Sequence, residues 1–297
     1  MKVDEDQINR WANPPSDTEN EKSENSIRTV TDALRERFGT DISIVRQGSH
    51  RNKTNIKLDS DVDFAVVHTG YFFHDISDLS DSDKQVYERG RTSAGYSFSQ
   101  FKTDVYSVLT KKFGVGLVQK KNKCIRVLGN TYRLNADVVP AFEHKRFSTP
   151  YTTSAEGIGI WTDKGDYIQS YPEQHYKNGV KKNDDTSRAF KSVVRVLKNI
   201  RNDLVDKNLL KLEVMPSFFV ESLVWNVAKD FFSGTTWRED VENVTAKIWN
   251  DMRDATIANE YAEVSDLMWL FRGKTNRTPK QAEDFMLEAW RYVNKKT

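Results

Sequence analysis

Three acids carry the most chemistry in this sequence. Asp61 and Asp63 lie two residues apart in Ser60-Asp61-Val62-Asp63-Phe64, and Asp137 lies in Asn135-Ala136-Asp137-Val138-Val139. Residues two apart on a β-strand point to one face. Asp61 and Asp63 are therefore expected side by side, with Val62 and Phe64 buried on the opposite face. Adjacent carboxylates repel one another and are costly to keep ionised unless a cation lies between them. Their hard oxygens suit Mg²⁺, which completes its octahedron with waters and substrate phosphates. With Asp137 on a strand alongside, the three acids are expected to hold two ions roughly 3.5–4 Å apart, as phosphoryl-transfer enzymes do. Mn²⁺ is expected to substitute. One ion would lower the pKa of an acceptor hydroxyl and align it on an α-phosphorus, and the other would neutralise the leaving pyrophosphate. Asp61 and Asp63 are assigned to both ions. Asp137 is assigned mainly to the acceptor-side ion and is also a candidate base.

Gly48-Ser49 follows the strand-like Ile42–Val45 and precedes what reads as a flexible polar turn. Glycine lets backbone N–H groups approach a phosphate closely, and the serine hydroxyl adds a donor. This is not a Walker loop, since GxxxxGK[ST] does not occur. Neither a DxD pair nor a Gly-Ser turn is specific alone. Their order is: a strand, Gly-Ser, a turn of about a dozen residues, an acidic pair on an apolar strand, and a further acid on a later strand.

Two more constellations lie downstream. Arg188, Lys191, Arg195 and Lys198 recur at i, i+3, i+7 and i+10, a helical stripe roughly 80° wide, with Phe190, Val193, Val194, Leu197 and Ile200 opposite. An ordinary solvated helix face explains such a stripe, and so does a bound triphosphate that relieves the repulsion among its cations. In Met215-Pro216-Ser217-Phe218-Phe219, proline marks a helix start. Ser217 is a candidate phosphate contact and Phe218 or Phe219 a candidate base-stacking ring, although core packing also accounts for the aromatics. The five histidines show no HxxxH or HExxH spacing, and no serine sits in a GxSxG elbow.

These groups need a scaffold. A long helix is expected over 18–38, stopped by Gly39, then strands at 41–45 and 62–67 and a polar, solvated loop at 75–83. A helix at 98–113 and strands at 117–119, 124–128 and 132–139 follow. From about residue 183 onward the pattern is helical: 184–204, 216–232, 237–256, 262–271 and 278–294. Strands with helices first and helices alone later give an α+β fold of two lobes, with a cleft between them as the natural ligand site.

Composition narrows the function. The chain has 297 residues, 37% of them hydrophobic and 30% charged, and its net charge is only +2. A long nucleic acid selects a strong basic bias, so a small phosphorylated ligand fits this balance better. No apolar run approaches the ~20 residues that span a bilayer, and MKVDEDQINRW lacks the apolar core of a signal peptide. A single cysteine, Cys124, excludes an internal disulfide and a cysteine-based zinc site. A cytoplasmic protein is expected.

The run GSHRNKTNIKLDSDVDFAVV resembles the GS…T…(S)DxDh signature of polymerase-β-like nucleotidyltransferases. NADVVPAF, VVRVLKNIRN and MPSFFVESL, in that order, resemble the narrower branch of bacterial cGAS/DncV-like nucleotidyltransferases (CD-NTases), and the match runs from about residue 25 to 295. The resemblance implies a mixed sheet with helices packed against a C-terminal helical lobe. The implied division is a nucleotidyltransferase core with an N-terminal spine helix over 1–165 and a helical lobe completing the nucleotide cleft over 166–297. It also implies a Mg²⁺-dependent enzyme making cyclic di- or trinucleotide second messengers from NTPs in anti-phage signalling. The implied partners are the NTPs and a downstream effector that binds the product, with the enzyme a monomer and neither a membrane nor a long nucleic acid involved. By position, Asp61, Asp63 and Asp137 match the metal-binding acids, Gly48 and Ser49 the phosphate loop, and Lys198 a lysine on the donor triphosphate. Ser217 matches a phosphate-contacting serine. Phe218 falls at a base-stacking position where tyrosine is frequent, so any contact through that hydroxyl is not expected here. Asn294-Lys295-Lys296-Thr297 does not end in glycine, so conjugation of this tail is not expected either. The competing readings are a nucleotidyltransferase acting on RNA, one acting on a small-molecule or protein acceptor, and an inactive binding module. Three intact acids disfavour the last.

Overall fold

A computed structural model describes residues 3–14, 16–56, 61–273 and 275–294. Ser60 of the acidic motif and the tail 295–297 lie outside them. The chain forms two compact units.

The first unit comprises Asp17–His50 and Ser60–Pro172. Its sheet contains β1 (Ile42–Arg46), β2 (Asp61–Asp75), β3 (Val118–Lys120), β4 (Ile125–Val127), β5 (Asn135–Thr149), β6 (Thr152–Trp161) and β7 (Tyr167–Ser170). The order is β1-β2-β5-β4-β3, with β6 on the later part of β5 and β7 on β6. β2 and β5 run parallel, and the other pairings are antiparallel. The mixed sheet with helices expected above is present.

Strand alternation decides which face does what. Val62, Phe64 and Val66 of β2 and Ala136 and Val138 of β5 are buried under two helices. These are α2 (Asp17–Phe38), contributing Ile27, Val30, Leu34 and Phe38, and α5 (Phe98–Phe113), contributing Phe101, Val105 and Leu109. On the opposite face Ala65, Val67, Val139 and Ala141 form a smaller apolar cluster with Ile158 and Ile160 of β6. The odd-numbered start of β2 thereby falls on the face away from α2 and α5. Gly39, at φ +56°, ends α2 as expected, and a Ser97/Gln100 capping box starts α5.

The second unit comprises Met1–Ser16, Arg51–Asp59 and Glu173–Thr297. Its described helices include α1 (Glu5–Ala12), α6 (Pro172–Asp185), α7 (Ala189–Asp206), α8 (Ser217–Trp225), α9 (Trp237–Met252), α10 (Ala255–Ala258) and α11 (Pro279–Asn294). Ile8, Val193, Leu197, Phe219, Val244 and Phe285 belong to one apolar core. α4 (Asp81–Arg89) belongs to the first unit, and α3 (Gly48–Asn52) has residues in both.

Three expectations are corrected. The helix expected at 184–204 breaks at Ser187 and Arg188, both left-handed, and restarts where Thr186 Oγ1 accepts from Phe190 N at 3.1 Å. No helix covers 262–271. Asp266 at φ +60° turns the chain, and Leu270 N donates back to Tyr261 O at 2.8 Å, closing a hairpin-like turn. The polar segment at 75–83 is not all loop, because Ser80 caps α4 by accepting from Asp83 N.

Candidate active site

Strand register assembles the acids. In the parallel β2–β5 pair, Asp61 stands opposite Asn135 and Asp63 opposite Asp137. In the antiparallel β4–β5 pair, Arg126 stands opposite Asp137. A single row, Asp63–Asp137–Arg126, thus crosses three strands, with Asp61 two residues up the same face. Asn135 Nδ2 donates to Asp61 Oδ1 at 2.8 Å.

Arg126 ties the acids together. Its Nε and Nη2 donate to Asp137 Oδ1 and Oδ2 at 2.8 and 2.9 Å, a forked pair. Nη2 also donates to Asp61 Oδ2. The hydrogen bond to Asp137, ahead of the fields of both carboxylates, pushes the guanidinium's pKa further up, so it stays charged at any working pH. The side chains of Arg126, Asp61 and Asp137 remain 29%, 32% and 17% exposed. Neighbouring Cys124 is pushed up to about 12, first by burial and then by Asp137, so its thiol stays protonated.

Gly48 is fitted against Asp63. Its φ is +71°, and a Cβ there would come within 2.5 Å of Asp63 Oδ2. Gln47 N donates to the Asp63 carbonyl at 3.2 Å. Gly48 and Ser49 open the short helix α3, which occupies the start of the turn expected to follow them. The positive φ provides the physical reason: glycine bends the chain from β1 into a helix start that only an unsubstituted Cα can bring this close to a carboxylate.

The donor set suits a hard divalent cation, being carboxylate oxygens on one sheet face. As arranged, it does not close around one. Among the described residues no group of three or more acids, histidines or cysteines is placed to hold a metal. Two of the three carboxylates are engaged by Arg126.

The remaining candidates belong to the helical unit. Lys191, Arg195 and Lys198 are buried and only Arg188 is exposed, so the cationic stripe is not a solvated face. Arg195 donates to the carbonyls of Ala12 and Lys53 and to Ser192 Oγ, and burial lowers its pKa to about 10. Lys198 Nζ donates to Thr54 O at 2.8 Å. Ser217 is the first residue of α8, and its Oγ accepts from Arg201 Nη1 at 2.7 Å. Phe218 is half-buried, with the Arg277 guanidinium 5.4 Å from its ring centroid and the His175 ring at 5.9 Å. The structure thus brings Asp61, Asp63, Asp137, Gly48 and Ser49 into one unit, and Arg195, Lys198, Ser217 and Phe218 into the other.

Sequence reasoning missed Arg126, Asn135 and Glu221. Glu221 is fully buried, accepts from Thr54 Oγ1 at 3.1 Å and lies 3.1 Å from His175 Nε2. Burial pushes its carboxyl up, but His175, Lys198 and the Thr54 hydroxyl together hold it below the usual range. Asn135 was visible beside Asp137 in the motif. Arg126 and Glu221 carry no signal of spacing.

A family model for the cGAS/DncV-like nucleotidyltransferase C-terminal helical domain matches residues 177–294. The chain is 41% identical over 293 residues to a cyclic dipurine nucleotide synthase of Elizabethkingia meningoseptica, covering 99% of each chain. It is 36% identical over 296 residues to the cyclic dipyrimidine nucleotide synthase CdnE of Cecembia lonarensis, covering 98% of this chain and 99% of that one. The solved CdnE cyclic dinucleotide synthase of E. meningoseptica, with GTP and Apcpp, superposes with a TM-score of 0.84 at 37% identity, covering 99% of this chain and 100% of that one.

Proposed function

This chain belongs to the bacterial cGAS/DncV-like nucleotidyltransferases, and from that premise we propose that it joins NTPs into a cyclic di- or trinucleotide with Mg²⁺ as cofactor. The observation that carries the reading is the row Asp63–Asp137 with Asp61 beside it on the sheet face away from α2 and α5. The dinucleotide form has the support of the two curated relatives named above.

In each transfer the 2′- or 3′-hydroxyl oxygen of one nucleotide attacks the α-phosphorus of another. The new P–O bond forms as the bond to the β-phosphate oxygen breaks, pyrophosphate leaves, and the hydroxyl proton passes to a base. A second, intramolecular transfer closes the dinucleotide ring, and a trinucleotide needs one more. Asp61, Asp63 and Asp137 would hold two ions, for which Mn²⁺ would substitute, and Asp137 would serve the acceptor side. When bound, these ions neutralise the triphosphate and acidify the acceptor hydroxyl. Ser49 at the start of α3, with Gly48 keeping the backbone close, binds the β- and γ-phosphates. By their match to the family pattern, Lys198 and Ser217 are assigned to phosphate and Phe218 to a base, and Arg195 positions the helix carrying Lys198. The enzyme acts in the cytoplasm as a monomer, and its product is a second messenger read by a downstream effector in anti-phage signalling.

Pyrophosphate release from each NTP, alone and in pairs, tests the transfer chemistry. Release that depends on Mg²⁺ and disappears in Asp61→Asn is expected. Release that persists in Asp61→Asn contradicts the assignment of the acids.

A further inference from the structure

We propose that Arg126 is the resident counter-cation of the acid cluster and a positioning residue that a divalent ion must displace. The inference rests on the metal-binding role proposed above for Asp61, Asp63 and Asp137, and it adds a competitor built into the protein. Three carboxylates share this face, and among the described residues the forked pair to Asp137 with the third bond to Asp61 is the cationic contact that ties two of them together. Repulsion between the acids would otherwise push the strand ends apart. The guanidinium holds both carboxylates in line while no ion is bound.

The same contact opposes metal binding. Both oxygens of Asp137 face the fork and one oxygen of Asp61 faces Nη2, so a metal ion entering between these acids meets a fixed positive charge and occupied lone pairs. Displacement is sterically feasible. Arg126 lies on the three-residue strand β4, and its side chain is 29% exposed, so the guanidinium can swing into water on its flexible stem. A metal carried in with a triphosphate brings net negative charge and gives the released guanidinium an anion to face. A bare ion brings only competition. The ligand-free enzyme is therefore tuned to take up its metal together with nucleotide and to resist it alone.

The test is Mn²⁺ titration of the full-length, nucleotide-free protein, reading free Mn²⁺ by electron paramagnetic resonance, for wild type, Arg126→Gln, Arg126→Lys and Asp63→Asn. Arg126→Gln is expected to bind Mn²⁺ about tenfold more tightly than wild type, a change of the size, with the opposite sign, that losing a supporting partner of a metal ligand produces. Arg126→Lys should fall between them, because a lysine is a point charge and cannot fork two oxygens. Asp63→Asn should bind more weakly than wild type. A purely structural role predicts the reverse, with both Arg126 variants binding no more tightly than wild type, and that result overturns the proposal while loss of binding in Asp63→Asn leaves the metal site standing. Equal binding by Asp63→Asn and wild type removes the metal site itself and the proposal with it. If Arg126→Gln fails to fold, Arg126→Lys alone decides: tighter binding than wild type supports the displacement, and equal or weaker binding overturns it.

Discussion

Asp63 is where the chain's local chemistry converges. It faces Asp137 across the sheet, and Gly48 fits against its carboxylate. Asp63→Asn should lower turnover by about 10²–10³-fold, the scale of removing one group that stabilises transition-state charge, while thermal unfolding stays near that of wild type. A collapse of the melting temperature would mean that the carboxylate is structural. Gly48→Ala adds a Cβ within 2.5 Å of Asp63 Oδ2 at a φ of +71°. It should cost about 1 kcal/mol or more of stability by urea unfolding and reduce turnover further than that loss explains. The acids were legible in the sequence because strand alternation has a period of two, so a DxD on an apolar strand needs no tertiary information to share a face. Arg126 was not legible. Its partners come from the register of β4 against β5, and a three-residue strand carries too little pattern to specify one.

At the scale of elements, α7 shows how burial changes the meaning of a pattern. Four cations at helical spacing read first as a wet face and then as an anion site, yet Arg195 is committed to the carbonyls of Ala12 and Lys53. Arg195→Met should therefore cost about 1–3 kcal/mol, the penalty for leaving buried acceptors unpaired, measured by urea unfolding. A cost below about 0.5 kcal/mol would indicate an ordinary surface position. The buried Glu221 on α8 adds a pH dependence. Its folded pKa is depressed, so its contribution is present above the ordinary carboxylate value and is lost as pH falls through the lower folded value. Melting temperature followed across the acid range should fall less steeply for Glu221→Gln than for wild type. An unchanged acid limb would contradict this linkage. Helices with clear punctuation, such as α5 between its capping box and Gly114, were readable to the residue. The 262–271 segment was not. Its apolar spacing imitates a helix, while Asp266 in the left-handed region folds it back on itself. β6, with the run TTSAEGIGIW, was missed because threonine, glycine and glutamate blur its alternation.

For the whole molecule, the near balance of charge argued for a small phosphorylated substrate, and the family to which the chain belongs acts on nucleotides of that kind. The compact units are discontinuous in sequence: residues 1–16, 51–59 and 173–297 form one, and 17–50 with 60–172 the other. Such an arrangement leaves no linker signature for a linear pattern to show, since contacts and not chain order define it. Among the described residues no helix is long and apolar enough to cross a membrane. The measurement that tests the central claim most directly is mass spectrometry of the phosphatase-resistant product formed from ATP, GTP, CTP and UTP with Mg²⁺, by wild type and by Asp61→Asn. The account predicts a small cyclic oligonucleotide with wild type and none with the variant. Long or phosphatase-sensitive products from wild type, or the same cyclic product from Asp61→Asn, would contradict it.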